Sequence, residues 1–247
     1  MHELLKGFVE RLHDGANANL EAVILYGSAA RGDFNEAHSD LNILCVMHSL
    51  SAAELQRIAP VLKWWSGDHH QTPPLFFTLE ELRQSSDVFA IELLDMQKTH
   101  RVLYGTDVIS AIHVSMNLHR IQVEHELRTT LLKLRNHFLR ASSDSKELSA
   151  VMAKSFSSIL TLLRHVLIAF QQDPPSEPRD VIAKIASATG APTQGFESAL
   201  SLRTSNAPQT DAVTSYGAYL SGLEKVIVAI DRQIPKHQLQ RVTTAKP

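Results

Sequence analysis

The chain has 247 residues, 44% of them hydrophobic and 20% charged, with a formal net charge of −2. That is enough apolar material for one large or two modest cores, and it leaves no global basic field of the kind that draws nucleic acid, which is disfavoured as a main partner. The single cysteine, Cys45, excludes an internal disulfide and fits a reducing cytoplasm, and no apolar run approaches the ~20 residues of a membrane span.

The N-terminal MHELLKGFVERLHDG places Leu4, Leu5, Phe8, Val9 and Leu12 on one side of an amphipathic helix over about 2–13. It has mixed charge and lacks the basic start and unbroken apolar stretch of a secretory leader. A strand over about 20–26 carries Val23, Ile24 and Leu25 and ends in Gly27-Ser28. A small-residue turn with Arg31 and Gly32 follows, then a second strand over about 41–47 that opens Ser39-Asp40-Leu41-Asn42. Cys45 lies inside that apolar strand and reads as a buried structural thiol. Ser51-Ala-Ala-Glu54 is a capping box that opens a helix, and Pro60 is expected to kink or end it. Trp64 and Trp65 follow, one expected inside and one outside. Gly67 to Pro74 reads as a loop, and the neighbouring His69 and His70 diverge on any regular element and have no definite third ligand. Thr78-Leu-Glu-Glu81 is a second capping box. Val102 to Tyr104 reads as a strand closed by Gly105.

From about residue 110 the apolar spacing becomes helical. Leu118, Ile121, Leu127, Leu131, Leu134 and Phe138 mark one long helix. Asp144 caps a second helix, which carries Phe156, Ile159, Leu160, Leu163, Val166, Leu167 and Phe170. Asp173-Pro174-Pro175 is a stop, shorter helices cover about 177–189 and 193–203, and a last helix runs over about 210–233. The expected architecture is α+β: an N-terminal mixed sheet with flanking helices over 1–110, an all-α helical bundle over 111–236, and a disordered tail over 237–247.

The chemistry concentrates in residues 25–44, LYGSAARGDFNEAHSDLNIL. Strand alternation puts Asp40 and Asn42 on one face while Leu41 and Ile43 enter the core. Two oxygens at a strand's mouth suit a hard cation such as Mg²⁺. Gly27 allows backbone to approach a ligand, Ser28 supplies a hydroxyl and a helix start that attracts phosphate, and Arg31 adds positive charge.

Gly-Ser, then Asp-x-Asn at the head of the next strand, resembles the nucleotidyltransferase superfamily of the DNA polymerase β type, within it the small bacterial proteins related to aminoglycoside nucleotidyltransferases. The resemblance continues through Leu75 to Leu82 and Asp87 to Asp95, up to Gly105, and so covers the N-terminal part. It implies a nucleoside triphosphate held by Gly27, Ser28 and Arg31. Mg²⁺ is implied at Asp40 and Asn42, with transfer of a nucleoside monophosphate to a hydroxyl on a small-molecule or protein acceptor. The helical C-terminal domain is typical of the same group.

Two departures stand against full activity. Asn42 keeps an oxygen but loses the charge of the second carboxylate. The third acid is expected on the strand Pro73 to Thr78, which contains none. Glu92 is the candidate replacement if the 89–96 segment folds beside the site; Glu92 and Asp95 share a face on a helix and oppose each other on a strand. The bland reading of both is a solvated surface. The alternative function is therefore a catalytically degenerate nucleotide-binding, regulatory or interaction protein, antitoxin-like in one version. Arg120-x4-His125 has the spacing of the Arg–His pair in helical ribonuclease toxins, but a charged surface face explains it more simply. The basic edge Arg128, Lys133, Arg135, His137 and Arg140 reads the same way, and the apolar bundle faces leave room for a homodimer contact.

Overall fold

Residues 1–31, 41–205 and 211–232 are described by a computed structural model, and its contacts divide the chain into two units, Met1–Leu118 and His119–Pro247. In the first, α1 (His2–Ala16) runs three residues past its expected end and leads into β1 (Leu20–Tyr26). The four-residue α2 (Ser28–Arg31), β2 (Asn42–Met47), α3 (Ala52–Leu62), β3 (Leu75–Thr78), α4 (Leu79–Gln84), α5 (Ala90–Lys98) and β4 (His100–Gly105) follow. The sheet order is β3-β2-β1-β4. β1 is antiparallel to β2 and β4, and β3 is parallel to β2, so the sheet is mixed.

Alternation along β1 and β2 builds two cores. Val23, Leu25, Ile43 and Cys45 face Leu5, Phe8 and Leu12 of α1 and Ile58 and Val61 of α3. Ile24, Leu44 and Val46 face Leu82 of α4, Leu93 and Met96 of α5, and Ile109. Phe8 and Leu12 are fully buried, each contributing about 1.5–3 kcal/mol relative to exposure. Burial pushes the Cys45 thiol far above its ordinary value, as expected for a structural cysteine.

Both capping boxes mark helix starts. Ser51 Oγ accepts from the Glu54 N–H, and at Thr78 the box is reciprocal, with Glu81 Oε2 accepting from the Thr78 N–H at 2.8 Å. Pro60 does not end its helix. α3 passes through it and continues into a π-helical segment, Lys63–Asp68. A proline inside a helix costs one backbone hydrogen bond and a local clash, and α3 bears that cost within its last turn. The two tryptophans divide as expected. Trp65 is fully buried against Phe8 and donates to the Thr72 carbonyl, while half-buried Trp64 packs under Arg11 and against His69.

The second unit contains most of α6 (Met116–Ala141) together with α7 (Ser145–Ala169), α8 (Pro178–Thr189), α9 (Gln194–Ser205) and α10 (Ala212–Arg232). Asp144 caps α7, accepting from the N–H groups of Lys146 and Glu147 at 3.0 Å. α7 is long and apolar enough to cross a membrane by length and composition, yet Met152, Phe156, Ile159, Leu163 and Val166 are buried among the bundle helices. A buried core helix has the same composition. Gly195 and Gly222 let α9 and α10 approach: a Cβ at Gly195 would collide with the Tyr219 backbone, and one at Gly222 would lie 2.9 Å from Phe196.

The buried stripe of α6 corrects the sequence reading. It runs His119, Arg120, Val123, Leu127, Leu131, Leu134, while Leu118 and Ile121 are exposed. Arg120 is thus an interior residue, tied to Glu124 at 3.7 Å and donating to the Ile230 carbonyl at 3.5 Å. His125 is exposed, so the Arg–His spacing is split between core and surface. Arg128 pairs with Glu124 and Asp231, and Arg135 with Glu224, which neutralises much of the expected basic edge. His119 and His165 share a buried hydrogen bond of 2.9 Å between their rings.

Candidate functional site

At the C-terminal end of β1 the chain leaves the sheet through Gly27, whose φ is +76°. Left-handed backbone is costly for any residue with a Cβ, so the turn demands glycine here. The Gly27 carbonyl accepts from the Ala30 N–H at 3.2 Å, closing the turn into α2. Asn42 opens β2 and pairs in register with Tyr26, the residue before the glycine. Its amide overhangs the turn: a Cβ at position 27 would lie 3.0 Å from Asn42 Nδ2.

Tyr26 also pairs in register with His100, the first residue of β4. Directly opposed residues of antiparallel strands project from the same face, so Asn42, Tyr26 and His100 form one row across the sheet. That is the face on which α5 packs, with Leu93 and Met96 in its core and Tyr26 against it. His100 Nδ1 donates to the Met96 carbonyl at 2.8 Å, and Nε2 lies 3.1 Å from Asp107 Oδ1. Asp107 also accepts from the Ser110 hydroxyl at 2.6 Å and from the N–H groups of Ile109 and Ser110. The Ser110 bonds first, and His100 second, hold the Asp107 carboxyl down at about 2.

Glu92 stands outside this row, on α5, and its charge is felt at Tyr26. The 89–96 segment is helical, so Glu92 and Asp95 lie three apart on one helix face, both exposed. Glu92 sits one turn before Met96, the residue bonded to His100. Burial, and then the negative charge of Glu92, raise the Tyr26 hydroxyl above its ordinary value of 10.0. Tyr26 and His100 were not singled out from the sequence. The signal lay in their positions, one beside the turn glycine and the other heading the strand paired with it, but register is what unites them.

Gly27 and Asn42 come together. Ser28 and Arg31 begin and end α2, and their side chains lie outside the described residues. Asp40 lies outside them too. β3 is the expected third strand and carries no carboxylate. Among the described residues, no group of three or more His, Cys, Asp or Glu is placed to hold a metal ion. Asn42 offers one neutral oxygen, and divalent magnesium is held mainly by carboxylates and phosphates. The described donors do not fit a two-cation centre.

No protein-family model and no curated protein matches the chain. A solved structure shares its fold. Spectinomycin adenyltransferase AAD(9) from Enterococcus faecialis, in a crystal structure with ATP and spectinomycin, aligns over 94% of this chain and 99% of its own. The TM-score is 0.53 and the identity 16%. The likeness establishes an α+β, nucleotidyltransferase-like fold with helices following the sheet.

Proposed function

We propose that the first unit binds a nucleoside triphosphate at the turn between β1 and α2, with Gly27, Ser28 and Arg31 bordering the phosphates and Asn42 beside them. The observation that carries this reading is the Gly27 turn overhung by the Asn42 amide, within a fold whose solved neighbour was crystallised with ATP. Backbone without a Cβ and a side-chain donor at one point are what a polyanion needs for close approach. The test is calorimetric titration with each of the four ribonucleoside triphosphates. Saturable binding that is weakened by Arg31→Ala is expected; no binding of any of them by the folded protein would overturn the reading.

A second reading, transfer of a nucleoside monophosphate to a hydroxyl acceptor, is favoured by Glu92, whose charge is felt at Tyr26, the residue paired with Asn42. In that reaction Glu92 takes the acceptor proton, the freed oxygen bonds the α-phosphorus, and pyrophosphate leaves. Of the sequence's candidate metal ligands, Asp40 alone would bring charge to a magnesium ion. Pyrophosphate release that is lost in Glu92→Gln, with nucleotide binding retained, supports transfer. Release that persists in Glu92→Gln removes Glu92 from it.

A further inference from the structure

We infer that Asn42 binds phosphate directly and that the site takes its nucleotide without a divalent cation. The inference rests on the nucleotide-binding reading above and deepens it.

Asn42 is fixed at the head of β2 by its register with Tyr26, and the first atom that a Cβ at Gly27 would meet is Asn42 Nδ2, at 3.0 Å. An amide has two N–H donors and one acceptor oxygen and carries no charge; a carboxylate at physiological pH only accepts. The two groups therefore treat a bare phosphate oppositely. A carboxylate at position 42 repels it unless a cation stands between them. The amide donates to it and needs no intermediary. Hydrogen bonds to a charged acceptor are the stronger class, so one such bond changes affinity measurably.

The rest of the row points the same way. Tyr26 lies beside Asn42 across the sheet and His100 beyond it, and neither carries negative charge; the acids that act on them, Asp107 on His100 and Glu92 on Tyr26, come from outside the four strands. β3, the neighbour of β2 on the other side, contributes Leu75, Phe76, Phe77 and Thr78 and no acid. A cation bridging protein to phosphate would find little negative charge to hold it among the described groups of these strands. A phosphate meets a donor at the turn itself.

The experiment is titration of the full chain with ATP by calorimetry, in excess EDTA and in excess magnesium chloride. The wild-type dissociation constant should differ by no more than about threefold between the two conditions. Asn42→Asp should bind about 10–100-fold more weakly in EDTA, the loss of one charge-assisted bond, and recover with magnesium. Asn42→Ala should lose a similar factor in both conditions, because it neither donates nor holds a cation. Circular dichroism confirms that each variant is folded, and Asn42→Ala keeps the test open if Asn42→Asp is not. Wild-type binding that vanishes in EDTA overturns the inference while the nucleotide-binding reading stands. So does Asn42→Asp binding ATP in EDTA as tightly as wild type. Absence of binding in both conditions overturns the reading and the inference together.

Discussion

Replacing Gly27 with alanine separates what the turn does for folding from what it does for ligand. At φ +76° an alanine pays about 1–2 kcal/mol of left-handed strain. The new methyl would also sit 3.0 Å from Asn42 Nδ2, tighter than an ordinary contact, so the amide must move. Because Asn42 is a partly buried strand terminus and not packed in the core, it can yield by rotating about its side-chain bonds, which keeps the fold penalty near the strain alone. At about 2–4 °C per kcal/mol for a chain of this size, the melting temperature should fall by about 2–8 °C. Ligand affinity should fall further than stability, since both the open backbone and the amide donor are disturbed. A loss of about 10–100-fold in ATP affinity is expected from one displaced charge-assisted bond. Differential scanning calorimetry reads the first quantity and isothermal titration the second. Gly27→Ala protein that melts lower yet binds ATP with wild-type affinity would refute the placement of phosphate against this turn.

Other substitutions test the architecture. Arg120→Met should destabilise the bundle by about 1–3 kcal/mol in urea unfolding, because the Ile230 carbonyl loses its donor and Glu124 keeps only Arg128; an unchanged midpoint would return Arg120 to the surface. Gly195→Ala should cost at least about 1–3 kcal/mol, since the methyl meets Tyr219 backbone and not a side chain that can swing away; a wild-type melting temperature would show that α9 and α10 are not so close. Alkaline titration should weaken the fold from about pH 10 upward. Burial pushes the Tyr216 hydroxyl up to about 12 and Tyr219 above it, so the unfolded chain releases these protons first and stability falls by about 1.4 kcal/mol per pH unit for each. Tyr216→Phe should flatten that slope by one group, and an unchanged slope would count against its burial. Asp107 titrates in the opposite sense. Its lowered carboxyl stabilises the fold above pH 4 or so, and that contribution disappears as pH falls towards about 2. Asp107→Asn should therefore leave acid unfolding shallower between those limits, with the effect muted because the side chain is 39% exposed to screening solvent.

How much of this was legible in the sequence depended on whether the signal was local. β1 lies at its expected 20–26, and β2 begins one residue after expectation, because alternation and a turn glycine are written in adjacent residues. The capping boxes at Ser51 and Thr78 and the Asp144 cap were legible for the same reason. Pro60 does not end its helix, because its local penalty is smaller than the gain from burying Ile58, Val61 and Trp65 on one continuous element. Arg120 misled because polarity assigns it to the surface, whereas its bonds to Glu124 and the Ile230 carbonyl make its burial tolerable. Only pairing between distant strands could reveal the row of Asn42, Tyr26 and His100, and no residue in it announces its neighbours.

That row also explains how an amide can stand where the resemblance expects an acid without harm to the fold. Asn42 heads its strand at partial burial, and the sheet below it is held by Ile43 to Met47, all buried, whose packing does not depend on charge at position 42. The position is free to change electrostatically because it is not needed mechanically. A carboxylate and an amide have nearly the same shape, so the exchange leaves β2, its register and the Gly27 turn in place while reversing what the turn attracts. In the proposed site an anion would meet a donor there instead of a like charge, and a cation would lose one of its two expected acids. Conservation of shape with loss of charge leaves the nucleotidyltransferase-like fold in place, and it makes position 42 the side chain at which the proposed binding is best tested.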